Sequence, residues 1–163
     1  MECFKTFRKA PPSQLIMTLL VKNEESMLEE NLLFHKAMGV DSFIITDNNS
    51  TDSTPEIIRK YKQKGWIKEV IEEKATDYEQ KEWVDRMIWK AKTIYKADWI
   101  INADADELWY SPSGNLKTDL SATHANVLNC EMKSVYPEEN RPFWQWDQIV
   151  KPVDEPERYD LST

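Results

Sequence analysis

The run Leu15–Val21 is the sequence feature that most constrains the fold, because all but one of its residues are apolar. Its length suits a strand, and a continuous apolar run is typical of strands buried on both faces, as in parallel sheets. Three more segments of strand length follow at 42–46, 66–72 and 98–103. The segment 126–135 predicts a fifth strand.

Helical patterns separate these segments. Apolar residues recur at helical intervals and predict three helices, over 26–38, 53–65 and 78–95. Gly39 lies where the first helix ends, and Ser53 with Glu56 predicts a capping box at the start of the second. Strands that alternate with helices, joined by connections too long for hairpins, predict an α/β fold with a mostly parallel sheet.

Composition narrows the class of protein. A chain of 163 residues with 40% hydrophobic content predicts a single domain over 1–163. The formal net charge of −8 argues against nucleic-acid or anionic membrane partners, since both require a basic face. No apolar run reaches the roughly 20 residues that span a bilayer. Two distant cysteines, Cys3 and Cys130, and an N-terminal segment without an apolar core predict a cytoplasmic location.

Polar clusters follow three of the predicted strands, at 22–24, 47–52 and 104–107. In parallel α/β sheets the ligand crevice lies beyond the carboxyl ends of the strands, so we expect these clusters to converge on one rim. Asp104 and Asp106 would repel each other unless a cation lay between them. Mg²⁺ and Mn²⁺ prefer hard oxygen ligands and keep positions open for phosphates, so this pair predicts a metal site that holds a diphosphate.

Simpler interpretations exist for the same residues. The two acids could cap a loop, and the cluster 47–52 could form Asx-turns and a helix cap, which we favour for Ser50, Asp52 and Ser53. His35 lies among apolar neighbours and is interpreted as a packed structural histidine. Trp83, Trp89 and Trp99 are expected in the core. For Trp109, Trp144 and Trp146 we weigh ordinary packing against stacking on a sugar ring.

The ordered motifs resemble glycosyltransferase family 2 sequences. They are Val21-Lys22-Asn23-Glu24, Gly39-Val40-Asp41, Asp47-Asn48-Asn49-Ser50-Thr51-Asp52, and Ala97-Asp98-Trp99 leading to Asp104-Ala105-Asp106-Glu107. The segment around His35 is similar to the branch that includes family 92 sequences. This resemblance covers about Ile16 to Trp109.

The resemblance implies a GT-A fold, a Rossmann-like α/β/α sandwich, with a nucleotide-diphospho-sugar donor, expected to carry UDP, and Mn²⁺ or Mg²⁺. It implies that Asp106 is the main metal ligand, with Asp104 facing the ribose or the metal-bound phosphates, while Glu107 is less securely matched. The residues implied in nucleotide-sugar binding are Val21, Asn23, Glu24, Asp47, Asn49, Arg86, Asp104 and Ala105.

Family members place a general base well downstream of the acid pair, and an inverting reaction needs one. No downstream acid of this chain lies in a matching motif. The candidates are Asp119, Glu131, Glu138, Glu139, Asp147, Asp154, Glu155, Glu157 and Asp160. We therefore expect part of the C-terminal acceptor-binding region to be missing, and the acceptor, a glycan, lipid or protein, stays open.

Two other functions compete with sugar transfer. A binding module could keep the donor site without turnover. A nucleotidyltransferase would also use strand-end acids and a metal, but such enzymes carry a glycine-rich phosphate loop near the first strand, and this chain has only Gly39, Gly65 and Gly114.

Overall fold

A computed structural model describes residues 14–74 and 80–123, together with the shorter stretches 127–128, 130–136, 138, 140–142 and 145–146. Contacts divide the chain into two compact units, Met1–His124 and Ala125–Thr163. All the helices and strands named below lie in the first unit. The expectation of one domain over 1–163 stays a prediction.

The first unit alternates strands and helices along the chain. In order these are β1 (Leu15–Val21), α1 (Leu28–Ala37), β2 (Ser42–Asp47), α2 (Thr54–Gln63), β3 (Ile67–Glu72), α3 (Gln80–Thr93), β4 (Trp99–Ala103) and α4 (Leu116–Ser121). The first four predicted strands and the three predicted helices are confirmed, with ends that differ by no more than two residues. The short helix α4 was not predicted.

The four strands form one sheet in the order β3-β2-β1-β4, and every neighbouring pair is parallel. The register pairs Val21 with Asp47 and Leu19 with Ala103. The carboxyl ends of the three strands therefore reach the same edge of the sheet. The chain builds outward from β1 to β3 and then crosses to β4 on the other side of β1, and such a reversal opens a crevice.

Helices cover both faces of this sheet. Leu15, Met17 and Leu19 pack in one core cluster with residues of α1 and α2, including Leu32 and Tyr61. Ile16 packs in a second cluster with Met87 and Ala91 of α3. Because successive side chains of a strand point to opposite faces, the apolar run of β1 supplies both clusters. The predicted α/β/α class with a parallel sheet is confirmed.

The predicted fifth strand is wrong for the residues that the structure describes within 126–135. Those residues form no strand apart from an isolated bridge at Val135. Val127 is 85% exposed and Met132 is 79% exposed. A strand is stabilised by burying one face against other elements, and these side chains gain no such burial.

The predicted capping box is also wrong. Ser53 lies at the N-cap of α2 but its side chain makes no capping hydrogen bond. The Asp52 carboxylate instead accepts a hydrogen bond from the Thr54 backbone N–H at 2.9 Å, as in an Asx-turn. The Ser53 backbone N–H donates to Glu25 Oε2 at 2.9 Å. Glu25, from the loop after β1, therefore replaces the expected partner Glu56.

The three tryptophans that were expected in the core have different outcomes. Trp83 is buried, as predicted, and Trp99 is partly buried and packs against the larger core cluster. Trp89 is 60% exposed, so the prediction for it is wrong. The buried residues of α3 are Trp83, Met87 and Ala91, which recur every four residues. Trp89 lies off this stripe and faces away from the sheet. None of the helices within the described residues has the length and apolar character needed to span a bilayer.

Candidate functional site

The loops after β1 and β2 are held together by hydrogen bonds between side chains and backbone. The Asn23 backbone N–H donates to Ser50 Oγ at 2.9 Å, and the Thr51 N–H donates to Asn23 Oδ1 at 2.8 Å. The Glu24 N–H donates to the buried Thr54 hydroxyl oxygen at 2.8 Å. Two segments that are nearly 30 residues apart in sequence therefore form one structural unit.

Asparagines at matching places make these two loops possible. Asn23 has φ of 57° and Asn49 has φ of 54°, in the left-handed region that asparagine tolerates better than most residues. The side chain of Asn23 is engaged with Thr51, so it has a structural role beside the predicted one. The sequence motif alone did not show whether asparagine is needed there for the loop conformation or for ligand binding.

Asp47 and Asp52 accept hydrogen bonds within the same region. Asp47 is buried, and its Oδ1 accepts from the Ser50 N–H at 3.0 Å. Asp52 Oδ2 accepts from the Glu25 N–H at 3.1 Å. Desolvation raises the pKa of the Asp52 carboxyl, but hydrogen bonds from Thr54 and the Glu25 backbone outweigh it, so the net pKa is lowered. The preferred interpretation of Ser50 and Asp52 as loop and cap residues agrees with these contacts.

The acid loop, residues 104–109, follows β4. The side chains of Asp104 and Asp106 are exposed, while Ala105 between them is buried. The Glu107 N–H donates to the Asp104 carbonyl at 3.1 Å, and Glu107 Oε2 accepts from the Asp104 N–H at 3.3 Å. Glu107 therefore closes the turn, which leaves the two aspartates as the free carboxylates of this loop.

Two buried polar residues of α1 form hydrogen bonds with the backbone of the acid loop. Asn31 Nδ2 donates to the Ala105 carbonyl at 2.9 Å and to the Glu107 carbonyl at 3.0 Å. The Trp109 backbone N–H donates to His35 Nε2 at 2.9 Å. His35 is buried, as the structural interpretation expected, but its contact with the acid loop was not foreseen. A pair of polar residues four positions apart on the buried face of a helix is the sequence signal that could have indicated it.

A cavity of about 450 Å³ lies at the carboxyl ends of β1 and β4. Its lining includes five residues that the sequence predicted: Val21, Glu24, Asp104, Ala105 and Asp106. It also includes five that were not predicted as site residues: Leu20, Lys22, Met27, Asn48 and Gln80. Of these, Lys22 and Asn48 belong to the predicted polar clusters. The cavity therefore draws on all three polar clusters, at the strand reversal where parallel sheets bind ligands.

Four predicted residues do not line this cavity. Asn23, Asp47 and Asn49 lie in the joined loops beside it. Arg86 lies on α3 and donates from Nη2 to Glu73 Oε2 at 2.6 Å. Their roles in binding stay predictions.

Negative charge accumulates around the cavity. Partial burial raises the pKa of Glu24, and the charges of Asp106, Asp52 and Asp104 raise it further. Glu24 follows β1 and the two aspartates of the acid loop follow β4, so their carboxylates are close enough to repel one another. Such a cluster favours a bound cation, which would relieve this repulsion.

A divalent metal fits this donor set. Among the described residues, no group of three or more His, Cys, Asp and Glu residues is arranged to hold a metal by itself. Mg²⁺ in phosphate-transferring sites usually takes only one or two protein carboxylates, and substrate phosphates and water fill the other positions. Asp104 and Asp106, exposed at the cavity, match this requirement in type and number.

Three of the downstream acids can be located. Asp119 Oδ2 accepts a hydrogen bond from Ser111 Oγ, Glu131 pairs with Lys133 at 3.7 Å, and Glu138 pairs with Arg141 at 2.6 Å. Asp119, the one of these three in the first unit, does not line the cavity. Six candidates lie outside the described residues: Glu139, Asp147, Asp154, Glu155, Glu157 and Asp160. The general base stays unassigned.

The tryptophans considered for sugar stacking have separate positions. Trp109 is partly buried and packs against the larger core cluster. Trp146 donates from Nε1 to the Arg141 carbonyl at 3.0 Å within the second unit. Trp144 lies outside the described residues.

Comparison with protein families decides the relationship of this chain to known proteins. The sequence profile of glycosyltransferase family 92 matches residues 17–143, which is most of the chain. The chain belongs to glycosyltransferase family 92. The resemblance seen in the motifs is thereby confirmed, and the match extends beyond the acid loop into the second unit. No match was found among curated proteins.

Two groups of solved structures are similar to this member of family 92. The mannosyltransferase PcManGT from Pyrobaculum calidifontis, in complex with GDP-Man and Mn²⁺, is 18% identical with a TM-score of 0.47, and covers 63% of this chain. TarS 1-349 from S. aureus is 16% identical with a TM-score of 0.48, and covers 67% of this chain. The alignments span only 30% and 31% of those two chains.

Proposed function

We propose that this chain binds a nucleotide-diphospho-sugar donor together with a divalent metal, and that it transfers the sugar to an acceptor hydroxyl. The observation that carries the proposal is the meeting of Glu24, Asp104 and Asp106 around one cavity at the strand reversal. Membership of glycosyltransferase family 92 supports the same reaction class. A cytoplasmic location stays a prediction.

The metal ligands in this proposal are Asp106 and Asp104. When bound there, Mn²⁺ or Mg²⁺ supplies positive charge opposite the diphosphate leaving group, on which negative charge develops as the glycosidic bond breaks. The chain's own part is to fix the two carboxylates at the cavity mouth. The hydrogen bonds of Glu107 to the Asp104 backbone restrict the turn that carries them.

The nucleotide in this proposal lies along the ends of β1 and β2, next to Val21 and the joined loops. Asp47 and Asn49 are proposed to contact the base and ribose from these loops. UDP is the expected donor nucleotide, and an inverting displacement is the proposed course. Neither the sugar nor the acceptor is assigned.

A donor-binding module without turnover is the second candidate function. It is favoured by one observation in the first unit: Asp119, the acid that follows the acid loop there, does not line the cavity. An inverting transferase needs a base within hydrogen-bond reach of the acceptor hydroxyl. The two candidates share the donor site and differ only in turnover.

A thermal-shift panel tests the donor site. UDP, GDP, ADP and CDP are each added with and without Mn²⁺. A ligand at about 100 times its Kd stabilises a protein by about 2.7 kcal/mol, which is about 5 to 10 °C for a domain of this size. We expect such a shift for one nucleotide, with Mn²⁺ present.

A hydrolysis assay then separates the two candidate functions. Its substrates are nucleotide sugars that carry the nucleotide identified by the thermal-shift panel. Release of free sugar supports the transferase, and tight binding without release supports the module. A panel in which no nucleotide shifts the unfolding temperature with Mn²⁺ would contradict both.

A further inference from the structure

Asn31 and His35 are polar residues that are fully buried on the inner face of α1. Positions four residues apart are neighbours on a helix surface. His35 Nδ1 lies 3.0 Å from the Asn31 carbonyl oxygen and 3.0 Å from Asn31 Oδ1. Burying two polar side chains is costly unless every donor and acceptor is paired, so their partners define their role.

The protonation of His35 follows from its contacts. The Trp109 backbone N–H can only donate, so His35 Nε2 accepts and carries no hydrogen. The proton of the neutral ring is therefore on Nδ1, where Asn31 supplies two acceptors. Burial lowers the pKa of His35 to about 4, which keeps Nε2 an acceptor at neutral pH.

The orientation of the Asn31 amide follows in the same way. Its Oδ1 accepts from His35, so Nδ2 faces the acid loop and donates to the Ala105 and Glu107 carbonyls at 2.9 and 3.0 Å. A third carbonyl, that of Asp104, lies 3.5 Å from Nδ2. The two helix residues thus contact the backbone of the acid loop on both sides of Asp106.

We infer that Asn31 and His35 are positioning residues, which fix the backbone of the acid loop so that Asp104 and Asp106 face the cavity together. The inference rests on the proposed metal and nucleotide site and deepens it. Neither residue lines the cavity, so their effect passes through the loop backbone. Residues that orient metal ligands typically change metal affinity by about 10- to 100-fold when they are removed.

Replacing His35 with Asn or with Gln tests the contacts of the two ring nitrogens separately. In His35→Asn the amide nitrogen can replace Nδ1 and keep the contact with Asn31, but nothing replaces Nε2. In His35→Gln the longer side chain can place its amide oxygen near Nε2 and accept from the Trp109 N–H. Asn31→Ala removes both amide N–H donors to the acid loop and keeps the backbone carbonyl of residue 31 as an acceptor for His35. This variant replaces His35→Asn in the experiment if His35→Asn does not fold.

Hydrogen exchange and calorimetry measure the effects of these substitutions. Amide hydrogen exchange resolved at Trp109 reports the acid loop without any ligand, with the amides of β1 as the internal control. Calorimetry with the best nucleotide of the thermal-shift panel reports how much Mn²⁺ raises its affinity. We expect about tenfold or faster exchange at Trp109 in His35→Asn, because a lost hydrogen bond leaves a partly buried N–H unpaired.

The Mn²⁺ effect on nucleotide affinity should fall by about 10- to 100-fold in His35→Asn and in Asn31→Ala, and be largely retained in His35→Gln. Affinity without Mn²⁺ should be unchanged. The inference would be overturned if the Trp109 amide exchanged at the same rate in His35→Asn and His35→Gln and both variants kept the full Mn²⁺ effect on nucleotide affinity. Faster exchange of β1 in step with Trp109, which indicates general loosening, would also overturn it. If wild-type protein shows no Mn²⁺ effect, the proposed function fails, and Trp109 exchange alone decides whether the pair holds the loop.

Discussion

Thr54→Val tests whether the two loops beside the cavity depend on one buried hydroxyl. The Thr54 side chain has no solvent exposure, and its Oγ1 accepts from the Glu24 N–H at 2.8 Å. Valine has the same shape, so the change leaves no cavity but leaves this N–H without an acceptor. Leaving a buried donor without an acceptor costs about 1 to 3 kcal/mol, and because this N–H is only partly buried we expect a loss of about 1 kcal/mol. Such a loss lowers Tm by about 2 to 4 °C for a domain of this size.

Urea unfolding, followed by circular dichroism, measures this loss. The free energy of unfolding should fall while the slope against urea stays constant, since the surface exposed on unfolding is the same. Thr51→Val is the matched control. Thr51 is exposed, and its hydroxyl lies 3.4 Å from Asn23 Oδ1, so its loss should change stability by no more than about 0.5 kcal/mol. Equal losses in the two variants would show that the two loops do not depend on the Thr54 hydroxyl.

Three further predictions concern charge, backbone and ligand. Glu24→Gln should stabilise the metal-free protein at pH 7 by about 0.2 to 1 kcal/mol, because it removes repulsion from the acid loop. The pKa of Glu24 is raised above 4.5 in the folded protein, so wild-type stability falls as the pH rises from the unfolded pKa to the folded pKa. In pH-dependent unfolding, the stability advantage of the variant should therefore vanish below pH 4.5. Gly39→Ala should destabilise more than Gly65→Ala in urea unfolding: both have positive φ, which costs alanine about 1 kcal/mol, but only at Gly39 would the new Cβ meet a side chain, that of Asn115, at 2.8 to 3.0 Å. Asp47→Ala should weaken binding of the nucleoside diphosphate more than binding of pyrophosphate in calorimetry, and equal losses would contradict the proposed contact of Asp47 with the base and ribose.

The elements of the first unit could be predicted because their signals are local. The apolar run of β1 and the stripe of α3 each follow from the period of one element. The rim could also be predicted, since parallel strands bring their carboxyl ends to one edge. This is why Asp104, Asp106 and Glu24 were expected together and are found lining one cavity.

The contacts between segments could not be predicted, because they depend on pairs that are distant in the chain. Glu25 replaces Glu56 as the acid that contacts the start of α2, and it comes from another loop. The hydrogen bond from Trp109 to His35 joins residues 74 positions apart. The strand prediction for 126–135 is wrong, within the residues that the structure describes there, for a different reason: an apolar composition predicts a strand only where another element buries it.

The proposed metal and nucleotide site is tested most directly by calorimetric titration of the full chain with the best nucleoside diphosphate, with and without Mn²⁺, in wild-type protein and in Asp106→Asn. The variant keeps the shape of an exposed side chain and removes one charge, so its stability in urea should be close to that of wild type. We expect Mn²⁺ to strengthen nucleotide binding by at least about tenfold in wild type and to have little effect in the variant. Equal Mn²⁺ effects in the two proteins, or none in wild type, would contradict the proposed site.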